Sequence, residues 1–462
     1  MRKHMNGFNA TYYSLYNGFR RKKNFCIVTL QNQEIFKRSL QERKSCKNRV
    51  KSAIACSANI DPLPSTARNL MYFIKKQIFM AIKCHLPRYL SWRGAFVMMV
   101  LLLPACDFPQ PPPDLFYKFD VMPVGQSPAH LLTADLNLDG EPDLISANTT
   151  NNTLTILYGK GDGSFQSALN INVAAEPTMS TAGDINRDGY PDLAVNARGA
   201  DMFVVLPGNG DGSFRKPIPT RTGRIPLNII LGDYNHDDKL DAAVTLTFGK
   251  MELYMGTGDG YFRKGATYQT GSRSFSGVTE DFNADGHLDI ALAVNSSGAS
   301  SIRLYMGNGD GTFQQPKRLA KMLAPLVVVA SDMNGDGKTD LVFASGQGDN
   351  LYLLYSNGDG SFKDPIAFSG GGGPFALTTG HFDPDKLKDV AVANSRSSTF
   401  SIVIRNRNET FKYPTRDYVV AGGTVLAITS GDYNHSGMSD IAVASNAKNT
   451  IEIYLQRRIF TR

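Results

Sequence analysis

Asp135-Leu-Asn137-Leu-Asp139-Gly140-Glu141-Pro-Asp143 is one of seven related stretches in this chain. The pattern of acidic and amide residues returns, whole or degraded, from Asp184, Asp233, Asp281, Asp332, His381 and Asp432. The intervals are 49, 49, 48, 51, 49 and 51 residues. A fixed period near 50 implies a closed or stacked repeat architecture.

Each copy has the same neighbours. In the first unit, His130–Leu136 leads into the acidic stretch, and Leu144–Asn148 follows it. Then come Thr153–Tyr158, Gly159-Lys-Gly161-Asp162-Gly163-Ser-Phe165, and a last run through Val173. Runs of this length, with period-two patterning and Gly/Asp/Asn punctuation, predict four strands per unit and no helix. The glycine-rich stretch recurs at Gly208–Phe214, Gly256–Phe262 and Gly307–Phe313, and in eroded form at Asn357–Phe362 and Asn406–Phe411. Asp-Gly between two strands signals a hairpin, since glycine accepts positive φ, so these are read as turns rather than binding loops.

Four strands in each of seven units predict an all-β fold: a seven-bladed β-propeller of four-stranded antiparallel blades over residues 114–462. The seventh unit ends after its third strand, Thr450–Leu455, and a spare strand, Phe116–Val124, precedes the first acidic loop. The expectation is that this N-terminal strand completes the seventh blade and hides the sheet edges.

The paired Asp-x-Asn-x-Asp-Gly-x-x-Asp and Gly-x-Gly-Asp-Gly-x-Phe motifs resemble FG-GAP/VCBS repeats, a family that includes bacterial secreted proteins and is similar to the propeller of integrin alpha subunits. The resemblance covers residues 114–462. It implies the propeller fold and leaves the function open, because such repeats serve many purposes.

The acidic loops suit Ca²⁺, which takes six to eight oxygens from a flexible loop. In loop one the side-chain ligands would be Asp135, Asn137, Asp139 and Asp143, with the carbonyl of Glu141. Loop two offers Asp184, Asn186, Asp188 and Asp192; loop four Asp281, Asn283, Asp285 and Asp289; loop five Asp332, Asn334, Asp336 and Asp340. Loop three keeps Asp233, Asn235, Asp237 and Asp241, but Asp238 replaces the glycine. Loop seven keeps Asp432, Asn434 and Asp440, with Ser436 at the fifth position. Loop six begins with His381 and has Lys386 at the glycine position, so it is expected to be empty or weak. The bland alternative is a solvated acidic turn. Crowded carboxylates without a cation would repel one another, which favours the ion.

Charge divides the chain. Residues 1–105 hold 19 Lys+Arg and 3 Asp+Glu; residues 106–462 hold 30 and 39. The basic balance belongs to the leader, so the propeller is not expected to bind nucleic acid. All five cysteines lie at or before position 106. The propeller thus needs no disulfide.

Residues 94–105 form an apolar run too short to span a bilayer but suited to the core of a secretory signal peptide. Lys83, Arg88 and Arg93 precede it. Leu103-Pro104-Ala105-Cys106 resembles a bacterial lipoprotein box, which implies lipidation of Cys106 and cleavage before it. The expected organisation is a basic extension at 1–79, either disordered or upstream of the true start, a signal peptide at 80–105, a Pro-rich tether at 106–113 and the propeller at 114–462. That places the protein outside the cytoplasm, anchored to a membrane on the periplasmic side or at the cell surface.

No catalytic constellation stands out. The propeller's histidines are His130, His236, His287, His381 and His435, and four of them lie in acidic loops. Tyr158, Tyr254, Tyr305 and Tyr355 recur at the end of the third strand, which reads as a packing position rather than a sugar-binding ring. Two function classes follow: a monomeric, non-catalytic module recognising a glycan or protein, or a carbohydrate-active enzyme of lyase or dehydratase type. The first is favoured, because the irregular inserts Arg221–Arg224, Ser272–Ser276, Gly370–Pro374 and Arg396–Thr399 offer no acid/base pair.

Overall fold

The computed structural model describes residues 114–457 except 297–299, 322–323, 347, 386, 408–409, 413–414 and 422. The extension, the signal peptide, Cys106, the tether and Lys386 therefore lie outside the described residues. The described chain forms 28 strands in seven four-stranded antiparallel sheets. The expected seven-bladed propeller is what the chain forms. The absence of helix holds with one exception, a single 3₁₀ turn at Arg198–Ala200 in the second blade.

The innermost strands are Pro128–Ala134, Pro177–Gly183, Pro226–Gly232, Arg273–Glu280, Pro325–Ser331, Pro374–Gly380 and Val425–Gly431. Five begin with proline, which has no N–H to give and so sits at the start of a strand. A register irregularity follows each of these prolines, as between Pro128 and His130 or Pro325 and Val327. The second strands, such as Asp143–Asn148 and Asp340–Ser345, are buried along their whole length. They lie inside the sheet with a neighbouring blade on each face, so they read as continuous apolar runs rather than alternating ones. The outer strands are half exposed.

Seven apolar clusters fill the seams between consecutive blades. The recurring tyrosines belong to them: Tyr254, Tyr305 and Tyr355 are each 1% exposed, a packing role as expected.

The N-terminal strand closes the ring. Phe116–Pro123, one residue shorter than read from the sequence, pairs with Thr450–Gln456 from Phe116↔Gln456 to Pro123↔Thr450. It is the outermost strand of the seventh blade.

Strand direction alternates within each blade. All seven loops joining first to second strands therefore open on one face, the acidic face. The turns between second and third strands, and the connections from blade to blade, lie on the opposite face. Phe116 and Gln456 both sit at the acidic face, so the described chain starts and ends there. Among the described residues no helix is long and apolar enough to cross a membrane.

Candidate functional site

Six of the seven acidic loops share one conformation, and their carboxylates divide into two sets. The first-position aspartate accepts the N–H of the sixth residue in six loops: Gly140 to Asp135 at 2.9 Å, Gly189 to Asp184 at 3.0 Å, Asp238 to Asp233 at 2.9 Å, Gly286 to Asp281 at 2.8 Å, Gly337 to Asp332 at 2.9 Å and Gly437 to Asp432 at 2.7 Å. The third-position Asn accepts the N–H of the fifth residue, as at Asn137, Asn186, Asn235, Asn283, Asn334 and Asn434. The fifth-position carboxylate accepts from the seventh, as at Asp139, Asp188, Asp237, Asp285 and Asp336. Loops three and seven, degraded in sequence, thus fold like the full ones. Asp238 takes φ 60° where the others have glycine, a conformation aspartate tolerates better than most residues.

The ninth-position aspartate does something the motif alone did not reveal. Asp143, Asp192, Asp241, Asp289, Asp340, Asp389 and Asp440 are all fully buried at the first residue of the second strand. Each accepts two inward backbone N–H bonds. Asp143 takes them from Leu136 at 2.8 Å and Gly159 at 2.9 Å, and Asp289 from Phe282 at 3.1 Å and Gly307 at 2.8 Å. The carboxylate thereby ties the acidic loop to the end of the third strand. At Gly159, Gly208, Gly256 and Gly307 a Cβ would meet the carbonyl oxygen just before the aspartate; Ser356, Arg405 and Gln456 take the same place in the last three blades. The signal for this pin was present, since the loop residue that donates is always apolar and buried: Leu136, Ile185, Tyr234, Phe282, Met333, Phe382 and Tyr433.

The pin costs solvation. Burial pushes Asp143, Asp241, Asp289 and Asp340 up to about 6, with added repulsion from the first- and fifth-position carboxylates, against the pull of the two N–H groups. Burial pushes Asp440 up to about 7 and Asp389 to about 8. Asp289→Ala is expected to lower stability by roughly 3 kcal/mol or more, because two buried N–H groups lose their acceptor. Asp289→Asn, which keeps one carbonyl, should lose less; thermal melts of the two variants check this.

The glycine-rich hairpins are turns, as expected, and they also latch the ring. Gly163 donates to the Tyr433 carbonyl at 2.7 Å, Gly311 to Tyr234 at 2.8 Å and Gly360 to Phe282 at 3.0 Å, each reaching the acidic loop of the preceding blade. Phe165 packs edge-on against Tyr433, and Phe313 against Tyr234.

Calcium fits the donor set. All side-chain donors are hard oxygens. Asp135 Oδ1 is buried without a partner, and an oxygen bonded to one N–H keeps a second lone pair. Among the described residues no three His, Cys, Asp or Glu side chains converge as a metal-holding group. The set therefore rests on the first- and fifth-position carboxylates together with amide and backbone oxygens.

Loop six is built differently. Nδ1 of His381, at the first position, lies 3.1 Å from the carbonyl oxygen of Leu387, the seventh-position carbonyl that would face an ion. The imidazole thus spans the loop. Lys412 Nζ pairs with Asp383 at 2.8 Å and supplies the positive charge. The loops also touch their neighbours around the face: His236 Nε2 lies 2.7 Å from His287 Nδ1, and His435 Nε2 lies 2.8 Å from Glu141 Oε1.

An FG-GAP-like repeat model matches residues 135–195, 184–244, 281–343 and 332–392. Each match runs from one acidic loop through the next, so the chain carries FG-GAP-like repeats. No curated protein is similar in sequence. Among solved structures, BBS1N in complex with ARL6DN has a TM-score of 0.53 at 13% identity, covering 74% of this chain and 97% of that one. A second structure of that complex gives 0.52 at 14% identity, covering 75% and 98%. An Agrocybe aegerita lectin that recognises non-reducing terminal N-acetylglucosamine gives 0.47 at 17% identity, covering 69% and 85%. These likenesses concern the fold alone.

Proposed function

We propose that this FG-GAP-repeat propeller is an exported, membrane-anchored, calcium-binding module that recognises a glycan or a protein without catalysis. The observation that carries the reading is the uniformity of the acidic face. Six loops repeat the same turn, and five of them carry the same first-, third- and fifth-position oxygens, Ser436 replacing the fifth-position carboxylate in loop seven. A face so regular stiffens the ring but offers little to tell one ligand from another. Specificity belongs to the irregular rim and the opposite face.

Asp135, Asn137 and Asp139, their equivalents in loops two, three, four and five, and Asp432 and Asn434 of loop seven would hold the ions. A bound Ca²⁺ supplies positive charge among carboxylates and straps the two left-handed residues of each loop, such as Leu138 at φ 57° and Gly140 at φ 86°. The ninth-position aspartates orient the loop from inside. Cys106 would carry the lipid.

A glycan array and a pull-down with the calcium-loaded protein test recognition; turnover of a bound glycan would replace this reading with a catalytic one. Cys106→Ala is expected to move the protein from the membrane fraction to the soluble one. Native protein that retained residues 1–105 would defeat the anchor.

A further inference from the structure

The inner strands enclose a central channel of about 540 Å³ that opens on the face opposite the acidic loops. Its mouth is formed by Leu227, Leu326, Phe375 and Leu426, each the second residue of its inner strand, and by Phe275, the third residue of its own. Phe275 and Phe375 are each 39% exposed. Behind the mouth the wall remains mostly apolar, with Val278, Val329 and Ile428. Thr178 also lines this space, with its hydroxyl oxygen buried and without a hydrogen-bond partner.

Charge around the mouth has the opposite sign to that of the acidic face. Arg198 lines the channel, and Arg221, Arg224, Arg273, Arg396 and Lys448 stand exposed on the connections and turns of this face. The carboxylates there are fewer: Glu176 pairs with Arg198 at 3.0 Å, Asp349 pairs with Arg396 at 2.6 Å, and Asp201 accepts the N–H of Ile225 at 2.8 Å. Arg224 lies 6.0 Å from the ring of Phe248, a further exposed aromatic on this face. Both ends of the described chain lie at the acidic face, the face opposite the mouth.

We infer that this channel mouth docks a peptide segment of a partner protein in which bulky apolar side chains are flanked by carboxylates. The apolar side chains enter among Phe275, Phe375, Leu326 and Leu426. The flanking carboxylates meet the arginines. Burying aromatic and aliphatic anchors at the centre of a charged ring is how a small contact concentrates its binding energy. The arginines add orientation and a salt-dependent association rate. This rests on the recognition reading above and names its partner chemistry.

The test titrates a fluorescein-labelled nonapeptide alternating glutamate with leucine and phenylalanine against the full, calcium-loaded chain, beside its lysine counterpart. The acidic peptide should bind roughly tenfold or more tightly than the basic one, and weaken in high salt. Phe275→Asp and Leu426→Asp, two separate sites on the mouth, should each weaken it by roughly tenfold or more. Their melting temperatures show whether either variant has lost its fold; a variant that melts like the parent and still binds normally overturns the inference. Equal binding of both peptides also overturns it, as does capture by phosphatidylglycerol vesicles in place of the peptide, which would make this a membrane surface. A ligand found by array or pull-down and retained by Phe275→Asp would sink this docking site while leaving the recognition reading intact.

Discussion

Deletion of residues 114–124 is expected to leave a chain that aggregates or melts far below the parent. Without Phe116–Pro123, the strand Thr450–Gln456 becomes an open edge with a row of unpaired N–H and C=O groups, a template for intermolecular pairing. The loss reaches two blades. Phe116 is 2% exposed and packs edge-on against Phe382 and Tyr418, each 5.8 Å away between ring centres. The Tyr418 hydroxyl accepts the N–H of Leu115 at 3.0 Å, so the sixth blade grips the closing strand as well. Lys118 pairs at 2.7 Å with Glu452, which is 1% exposed and would lose its cation. Phe116→Ala alone should cost about 3–5 kcal/mol, the usual range for truncating a buried phenylalanine. Light scattering and thermal melts read both variants, and a deletion that stays monomeric and melts like the parent would refute the closure.

That closure was legible because a four-strand period leaves a remainder. Seven acidic loops, six complete units and one spare strand can be joined in a ring in one economical way. Strand ends were less legible: the run read as His130–Leu136 is the strand Pro128–Ala134. Proline starts the strand there and the acidic turn takes its last two residues. The acidic site was half legible. Alternating Asp and Asn at the first, third and fifth positions identify oxygens on one turn. The ninth aspartate belongs to the same motif by spacing but to the core by burial, since its partners are backbone N–H groups 7 residues before it and 15 to 18 residues after it. The acidic string shows only the near half of this pin, the apolar residue that donates from the loop; the far donor, at the end of the third strand, lies outside the string. Loop six shows the converse. His381 and Lys386 announce a departure, yet the compensating Lys412 lies 29 residues from Asp383 and becomes its partner only in the folded blade.

Removing calcium with a strong chelator is expected to lower the melting temperature markedly, and the pH trend should reveal why. An ion bound only to the folded state adds about 2.7 kcal/mol per site at a hundredfold excess over its Kd. Titration calorimetry should find no more than six sites, with loop six excluded by the His381 bridge. Asp332→Ala should lose stability in calcium and much less in chelator, where only its bonds to Gly335 and Gly337 are at stake. His381→Ala should lose a similar amount in both, because its bond to Leu387 needs no metal. The buried aspartates set the pH response of the metal-free protein. Asp143, Asp241, Asp289 and Asp340, at about 6, and Asp440, at about 7, lie above the unfolded value near 4. Such groups bind a proton more readily folded than unfolded, so their buried charge weakens the fold at high pH and the penalty fades as pH falls through their folded values. In chelator, melting temperature should therefore rise as pH drops from about 8 to about 5.5. In excess calcium the ion already offsets the carboxylate charge and protons compete with it, so the rise should flatten or reverse. If the two curves run parallel, the loops hold no ion, and the acidic face is a set of solvated turns held by its own backbone bonds.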